Sequence, residues 1–113
     1  MSEIFEISIY RTKDDNEPYA EWERTLDKTV QARIDARFTR IRELGNLGVH
    51  EAVGEGVFEL KFDFGPGYRI YFGFRKTSNL LLLLGGSKRG QQRDIEKAKK
   101  YWRDSLSQQK AKK

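Results

Sequence analysis

The chain has 113 residues, with 22 basic and 17 acidic side chains, 37% hydrophobic and 12% aromatic residues, which is enough for one small folded domain over residues 1–113. With no cysteine and one histidine, disulfide frames, thiolate nucleophiles and multi-histidine zinc sites are excluded, and no metal or other cofactor is expected. No apolar run approaches the ~20 residues that cross a bilayer, and Met1–Glu6 lacks the basic and apolar regions of a secretory signal, so a cytoplasmic location without a membrane partner is expected.

The charge is uneven. Residues 1–87 carry 12 basic and 14 acidic side chains, and residues 88–113 carry 10 and 3. A basic end on a near-neutral body points to RNA, DNA or an acidic protein as partner. The competing reading is a solvated, lysine-rich terminal helix.

Residues 4–10, β-branched and aromatic, read as a first strand. A polar loop follows over 11–17, and Pro18 suits a first helical turn. Trp22, Leu26, Val30, Ile34, Phe38, Ile41 and Leu44 recur every three or four residues. Asp27 is a good N-cap, so the stretch reads as a helical hairpin, 17–26 and 29–44, closed by Gly45-Asn46. Arg33, Arg37, Arg40 and Arg42 fall off the apolar stripe and are expected in solvent. Residues 45–56 read as an irregular glycine-rich loop containing His50, an expected exposed side chain.

A β section comes next. Phe58, Leu60, Phe62 and Phe64 alternate with Glu59, Lys61 and Asp63. Gly65-Pro66-Gly67 turns the chain into a strand where Tyr68, Ile70, Phe72 and Phe74 alternate with Arg69, Tyr71, Gly73 and Arg75. Leu80–Leu84 suits a strand buried on both faces. A last helix spans 91–106, with Ile95, Ala98, Trp102 and Leu106 on one stripe, and residues 108–113 read as a frayed basic tail. The expected fold is α+β: an N-terminal strand, a helical hairpin, a three-stranded antiparallel meander and a C-terminal helix. The helices are expected on one face of the sheet, leaving the other open. Lys61, Arg69, Tyr71, Lys88 and Arg89 would gather on that open face, unless Lys61 and Arg69 are consumed by neighbouring carboxylates.

The segments VGEGVFELKFDFGPGYRIYFGFR and LLLLLGGSKRGQQRDIEKAKKYWRD, within Val53–Asp104, resemble the RelE/ParE superfamily of type II toxin–antitoxin toxins. They are most similar to the HigB-like branch of addiction module killer proteins. GPGYRIYFG and GGSK-x-x-QQ-x-DI-x-KA carry the likeness, and the helical hairpin ending in LGNLG fits it. The resemblance implies a toxin whose partner is a cognate antitoxin, usually a helix-turn-helix protein in this branch. RelE-like relatives cut mRNA in the 30S A site of the ribosome, and ParE-like relatives poison DNA gyrase on a similar scaffold. The fold alone does not choose between them, nor does it exclude a degenerate basic RNA- or protein-binding module.

The same resemblance implies catalytic roles for Arg69, Lys61 and Arg89. Arg69 matches an arginine that contacts the scissile phosphate. Lys61 falls on a functional strand lysine, and Arg89, with Lys88 beside it, on another functional arginine. Two positions depart from the pattern: Glu59 replaces a second strand lysine, and Ile95 falls near the usual C-terminal aromatic or histidine.

Metal-free RNA cleavage uses the 2′-OH as nucleophile and leaves a cyclic phosphate and a free 5′-OH. The protein must accept the 2′-OH proton, stabilise the phosphorane and protonate the leaving oxygen. Arg69 suits the phosphorane because a guanidinium donates two parallel hydrogen bonds. Lys61 is the candidate base or second electrostatic contact, with Glu59 as an alternative base. Tyr71 is a candidate for stacking on a base, and Trp102 reads as core. Arg93, Lys97 and Lys100 are candidate contacts to RNA phosphates.

Overall fold

Apolar residues of three strands, at alternating positions in Val57–Lys61 and Tyr68–Lys76 and in an unbroken leucine run in Asn79–Ser87, build the middle of the molecule. The computed structural model describes residues 4–111. Strand β1 (Glu6–Ile9) leads to a short helix α1 (Pro18–Glu23) and a longer one, α2 (Lys28–Leu44). Strands β2 (His50–Gly54), β3 (Val57–Lys61), β4 (Tyr68–Lys76) and β5 (Asn79–Ser87) follow, then helix α3 (Gln91–Ala111). The sheet order is β1-β5-β4-β3-β2, with β1 parallel to β5 and the other pairs antiparallel. The fold is α+β.

The helix limits follow from local chemistry. Pro18 opens α1. Asp27 caps α2, its Oδ1 accepting from the Val30 N–H at 3.0 Å. Gly45 ends that helix in the left-handed region, at φ 69°.

Three expectations change. First, residues 50–54 are a strand, so the meander has four strands. Val53 and Val57 flank a tight Gly54-Glu55-Gly56 turn in which all three residues have positive φ. Two glycines there make the reversal possible. Second, α3 continues to Ala111, so residues 108–111 are helical, and 112–113 lie outside the described residues. On this helix Ser105 is buried and Leu106 is exposed, the reverse of the expected stripe.

Third, helices cover both faces of the sheet. Tyr19 of α1 and Ile34, Phe38 and Ile41 of α2 pack with Leu60, Phe62, Ile70, Phe72, Leu80 and Leu82 on one face. Ala98 and Trp102 of α3 pack with Tyr10, Val57, Tyr71, Leu81 and Leu83 on the other. The leucine run supplies both faces in alternation, as a strand buried on both sides must. A one-residue slip between the Tyr71–Leu84 and Phe72–Leu82 pairs then inverts the alternation. As a result Gly85 lies against Trp22 of α1, while Gly86 lies against Asp94 of α3.

Candidate functional site

Lys61 and Arg69 are direct cross-strand partners at the end of the sheet where β3 turns into β4. Their side chains leave the sheet on the α3 side, as alternation requires. That side is not open. The start of α3 covers Glu59 and Tyr71, which are 2% and 0% exposed. Lys61 and Arg69 remain accessible at its rim, with 31% and 12% of their side chains exposed.

Burial overturns two expectations. Tyr71 cannot stack on a base, because it is fully enclosed. Its hydroxyl has no hydrogen-bond partner among the described residues. Burial, followed by the charges of Glu59 and Asp94, pushes the phenol far above its usual range. Glu59 cannot reach a 2′-OH either. Its carboxylate accepts from Gln91 Nε2 at 2.8 Å and lies 3.8 Å from Lys61 Nζ and 3.9 Å from Arg69 Nε.

Arg69 is held in place by the backbone. Its Nη1 donates to the carbonyls of Tyr68 at 3.1 Å and Gly67 at 3.3 Å. Its Nε is buried without a hydrogen bond, and Nη2 has no partner among the described residues. Lys61 donates to Glu51 of β2. That hydrogen bond, and then the charge of Lys61, holds the Glu51 carboxyl below its usual range. Glu51 escaped sequence reasoning because its strand was read as a loop; the two valines flanking Gly-Glu-Gly were the available signal.

A groove of about 910 Å³ opens in front of this pair. Its lining includes Arg33, Arg37 and Arg40 of α2, Lys61, Phe64, Arg69 and Lys88, with Asp63 the one acidic residue. Lys88 is tied to the rim by its N–H, which donates to the Gly67 carbonyl at 2.8 Å.

Arg37 does not face solvent as its helical position suggested. It is 7% exposed and crosses under the groove. Its guanidinium donates to the carbonyls of Leu47, Val49 and Lys61 and stacks on Phe62 with its carbon 4.5 Å from the ring centre. Burial, then the neighbouring Arg40, lowers its pKa. All its hydrogen-bond acceptors are backbone atoms, which no residue pattern in the sequence signals.

The remaining candidates lie elsewhere. Arg89 is exposed after β5 but does not line the groove; its carbonyl accepts from Ser87 Oγ at 3.1 Å. The structure therefore brings Lys61, Arg69 and Lys88 together and leaves Arg89 outside. Arg93 lines a shallower hollow that it shares with Lys88 and Ile95. Arg93, Lys97 and Lys100 follow an i, i+4, i+7 spacing on α3 and are all exposed. Lys99 and Arg103 instead pair with Glu55 at 3.6 and 2.9 Å. His50 is exposed, its ring Nδ1 2.8 Å from the Gly48 carbonyl oxygen. Ile95 packs partly into the α3 side of the core. Among the described residues no helix is long and apolar enough to cross a membrane.

A small α+β domain with a cationic groove at one end of its sheet is the framework in which similarity to known proteins falls. The chain belongs to the phage-derived protein Gp49-like (DUF891) family, whose model matches residues 21–103. That span runs from within α1 to the middle of α3 and takes in every groove residue. The chain is also 42% identical over 70 residues to an uncharacterized protein of Haemophilus influenzae, covering 62% of this chain and 70% of that relative.

Proposed function

We propose that the protein is the toxin of a type II toxin–antitoxin module and acts as a ribosome-dependent, metal-free mRNA endonuclease in the cytoplasm. The observation that carries this reading is the adjacent Lys61–Arg69 pair at the mouth of a groove with one acid among many cations. Membership of the Gp49-like family is consistent with it.

In this reading the scissile phosphate sits against Arg69 and Lys61. The 2′-OH gives up its proton as its oxygen attacks phosphorus, the P–O5′ bond breaks, and the departing 5′-oxygen takes a proton from solvent water, so the products are a 2′,3′-cyclic phosphate and a 5′-OH. Arg69 Nη2 donates to the non-bridging oxygens as negative charge builds on the phosphorane. Lys61 adds a second positive contact. Glu51, the exposed carboxylate beside Lys61, replaces buried Glu59 as candidate acceptor of the 2′-OH proton. The ribosome holds the mRNA in line for attack. Lys88, Arg89, Arg93, Lys97 and Lys100 contact RNA phosphates around the centre. The cognate partner that silences the toxin is a helix-turn-helix antitoxin.

Brief induction without antitoxin tests this, with RNA 5′ ends mapped transcriptome-wide. New 5′-OH ends within translated messages are expected from the native chain and none from Arg69→Ala of unchanged melting temperature. Intact mRNA with accumulated gyrase–DNA cleavage complexes would replace this reading with gyrase poisoning. Normal growth would remove the toxin assignment.

A further inference from the structure

The α2 wall of the groove has no part in the chemistry above, yet it carries two exposed arginines. Arg33 and Arg40 are seven residues apart, two helical turns, and both line the groove. Neither makes an ion pair with a described residue. Between them Arg37 is spent on backbone carbonyls and is closed to a ligand.

Arg33 is also pre-oriented. Its guanidinium carbon sits over the Phe64 ring, 4.4 Å from the ring centre. Phe64 in turn packs against Tyr68 with ring centres 5.5 Å apart. One side of the guanidinium is therefore supported by aromatic carbon. Such a plane accepts a nucleobase on its other face while its N–H edge reaches phosphate.

We infer that Arg33 and Arg40 form a track for single-stranded RNA along α2, with Arg33 on its Phe64 support stacking a base next to the scissile bond and Arg40 holding a neighbouring phosphate. This rests on the nuclease reading and extends it to nucleotides outside the reacting bond. An acidic peptide satisfies the cations but gains nothing from a stacked guanidinium plane. Double-stranded RNA presents its bases already stacked and paired, so it offers no free face to Arg33.

The test is binding of a fluorescein-labelled RNA oligonucleotide to the full chain, followed by anisotropy over a range of salt. The double variant Arg33→Ala/Arg40→Ala is compared with Arg75→Ala/Lys76→Ala, which removes equal charge from the β4–β5 turn. Loss of the phosphate held by Arg40 and of the one reached by the N–H edge of stacked Arg33 should weaken binding roughly tenfold and reduce the slope of log K against log salt by about 1.4. The turn variant should bind as the native chain does. Arg33→Lys separates stacking from charge: it should keep the salt slope but lose several-fold in affinity.

Equal weakening by the turn variant, or native-like binding by the α2 variant, would overturn the track and leave the nuclease reading standing. Equal affinity of the native chain for an oligoglutamate peptide or an RNA duplex would also overturn it. An absence of both RNA binding and induced mRNA cleavage in the native chain would remove both.

Discussion

Glu59 and Arg69 stand diagonally across β3 and β4, with Glu59 Oε1 3.9 Å from Arg69 Nε and the carboxylate almost fully buried. Glu59 lies near both Arg69 and Lys61 and is bonded to Gln91 at the start of α3. One carboxylate thus joins the two candidate reactive cations to the helix that covers the sheet. At this position the chain has built a support for the two cations.

Removing that support should separate binding from chemistry. Glu59→Gln keeps the shape and an acceptor for Gln91 but deletes a negative charge next to the groove. RNA should bind more tightly, by about threefold, which is roughly 0.7 kcal/mol. Cleavage should slow by about tenfold because the Arg69 plane is less firmly oriented. Glu59→Ala leaves the cations without their buried partner and should cost about 3 kcal/mol in urea denaturation.

Arg37 tests whether the floor of the groove depends on one side chain. Arg37→Met removes four hydrogen bonds to three carbonyls while filling most of the space. Stability should fall by about 2–4 kcal/mol, since those carbonyls lose their donor. Arg37→Lys should not restore it, because one ammonium lacks the planar fork that spans Leu47, Val49 and Lys61. Thermal melts of the two variants check this.

Trp102 sits directly on the sheet because Gly73 has no side chain. A Cβ on Gly73 would lie 2.5 Å from the Trp102 ring, and Gly85 seats Trp22 similarly on the opposite face. Gly73→Ala should cost about 1–3 kcal/mol by forcing α3 outward. Trp102→Ala should cost about 3–5 kcal/mol. If combined, the two substitutions should cost less than their separate effects added, because the clash needs both side chains.

Two carboxylates give opposite pH trends. Asp94 is half-buried, and desolvation raises its pKa above the ordinary 3.8, with Lys97 and Arg93 pulling it partly back. The folded state then holds the proton more tightly, so stability falls as pH rises from about that value through the folded pKa. Glu51 has a folded pKa held below 4.5 by Lys61. Its contribution is present above that value and is lost as pH falls toward the folded pKa. Urea midpoints measured against pH should therefore lose the first trend in Asp94→Asn and the second in Glu51→Gln.

Much of the fold was readable from local pattern. The strict alternation of Phe58 to Phe74, the stripe from Trp22 to Leu44, the Asp27 cap and the Gly-Pro-Gly turn each specify an element through short-range sterics and amphipathicity. That Lys61 and Arg69 lie near each other on one face of the hairpin followed too, because a tight turn and a period of two put both opposite the phenylalanines; their direct pairing came only with the folded register. His50–Gly54 was missed because an exposed edge strand needs no apolar alternation. The register slip at Leu83 left no mark in a run of five identical leucines.

Sequence by itself determined the α+β class, the order of every element but β2, and the nearness of Lys61 to Arg69 across one hairpin, since these depend on contacts between residues close along the chain. Which face α3 covers was decided only by tertiary packing. That choice buried Tyr71 and Glu59, kept Lys61 and Arg69 at the rim and left Arg89 outside the groove. Packing also drew Arg37 inward and set Arg33 on Phe64. Helix placement depends on apolar complementarity between distant segments: Gly73 admits Trp102 and Gly85 admits Trp22, and neither pairing is visible until the chain is folded.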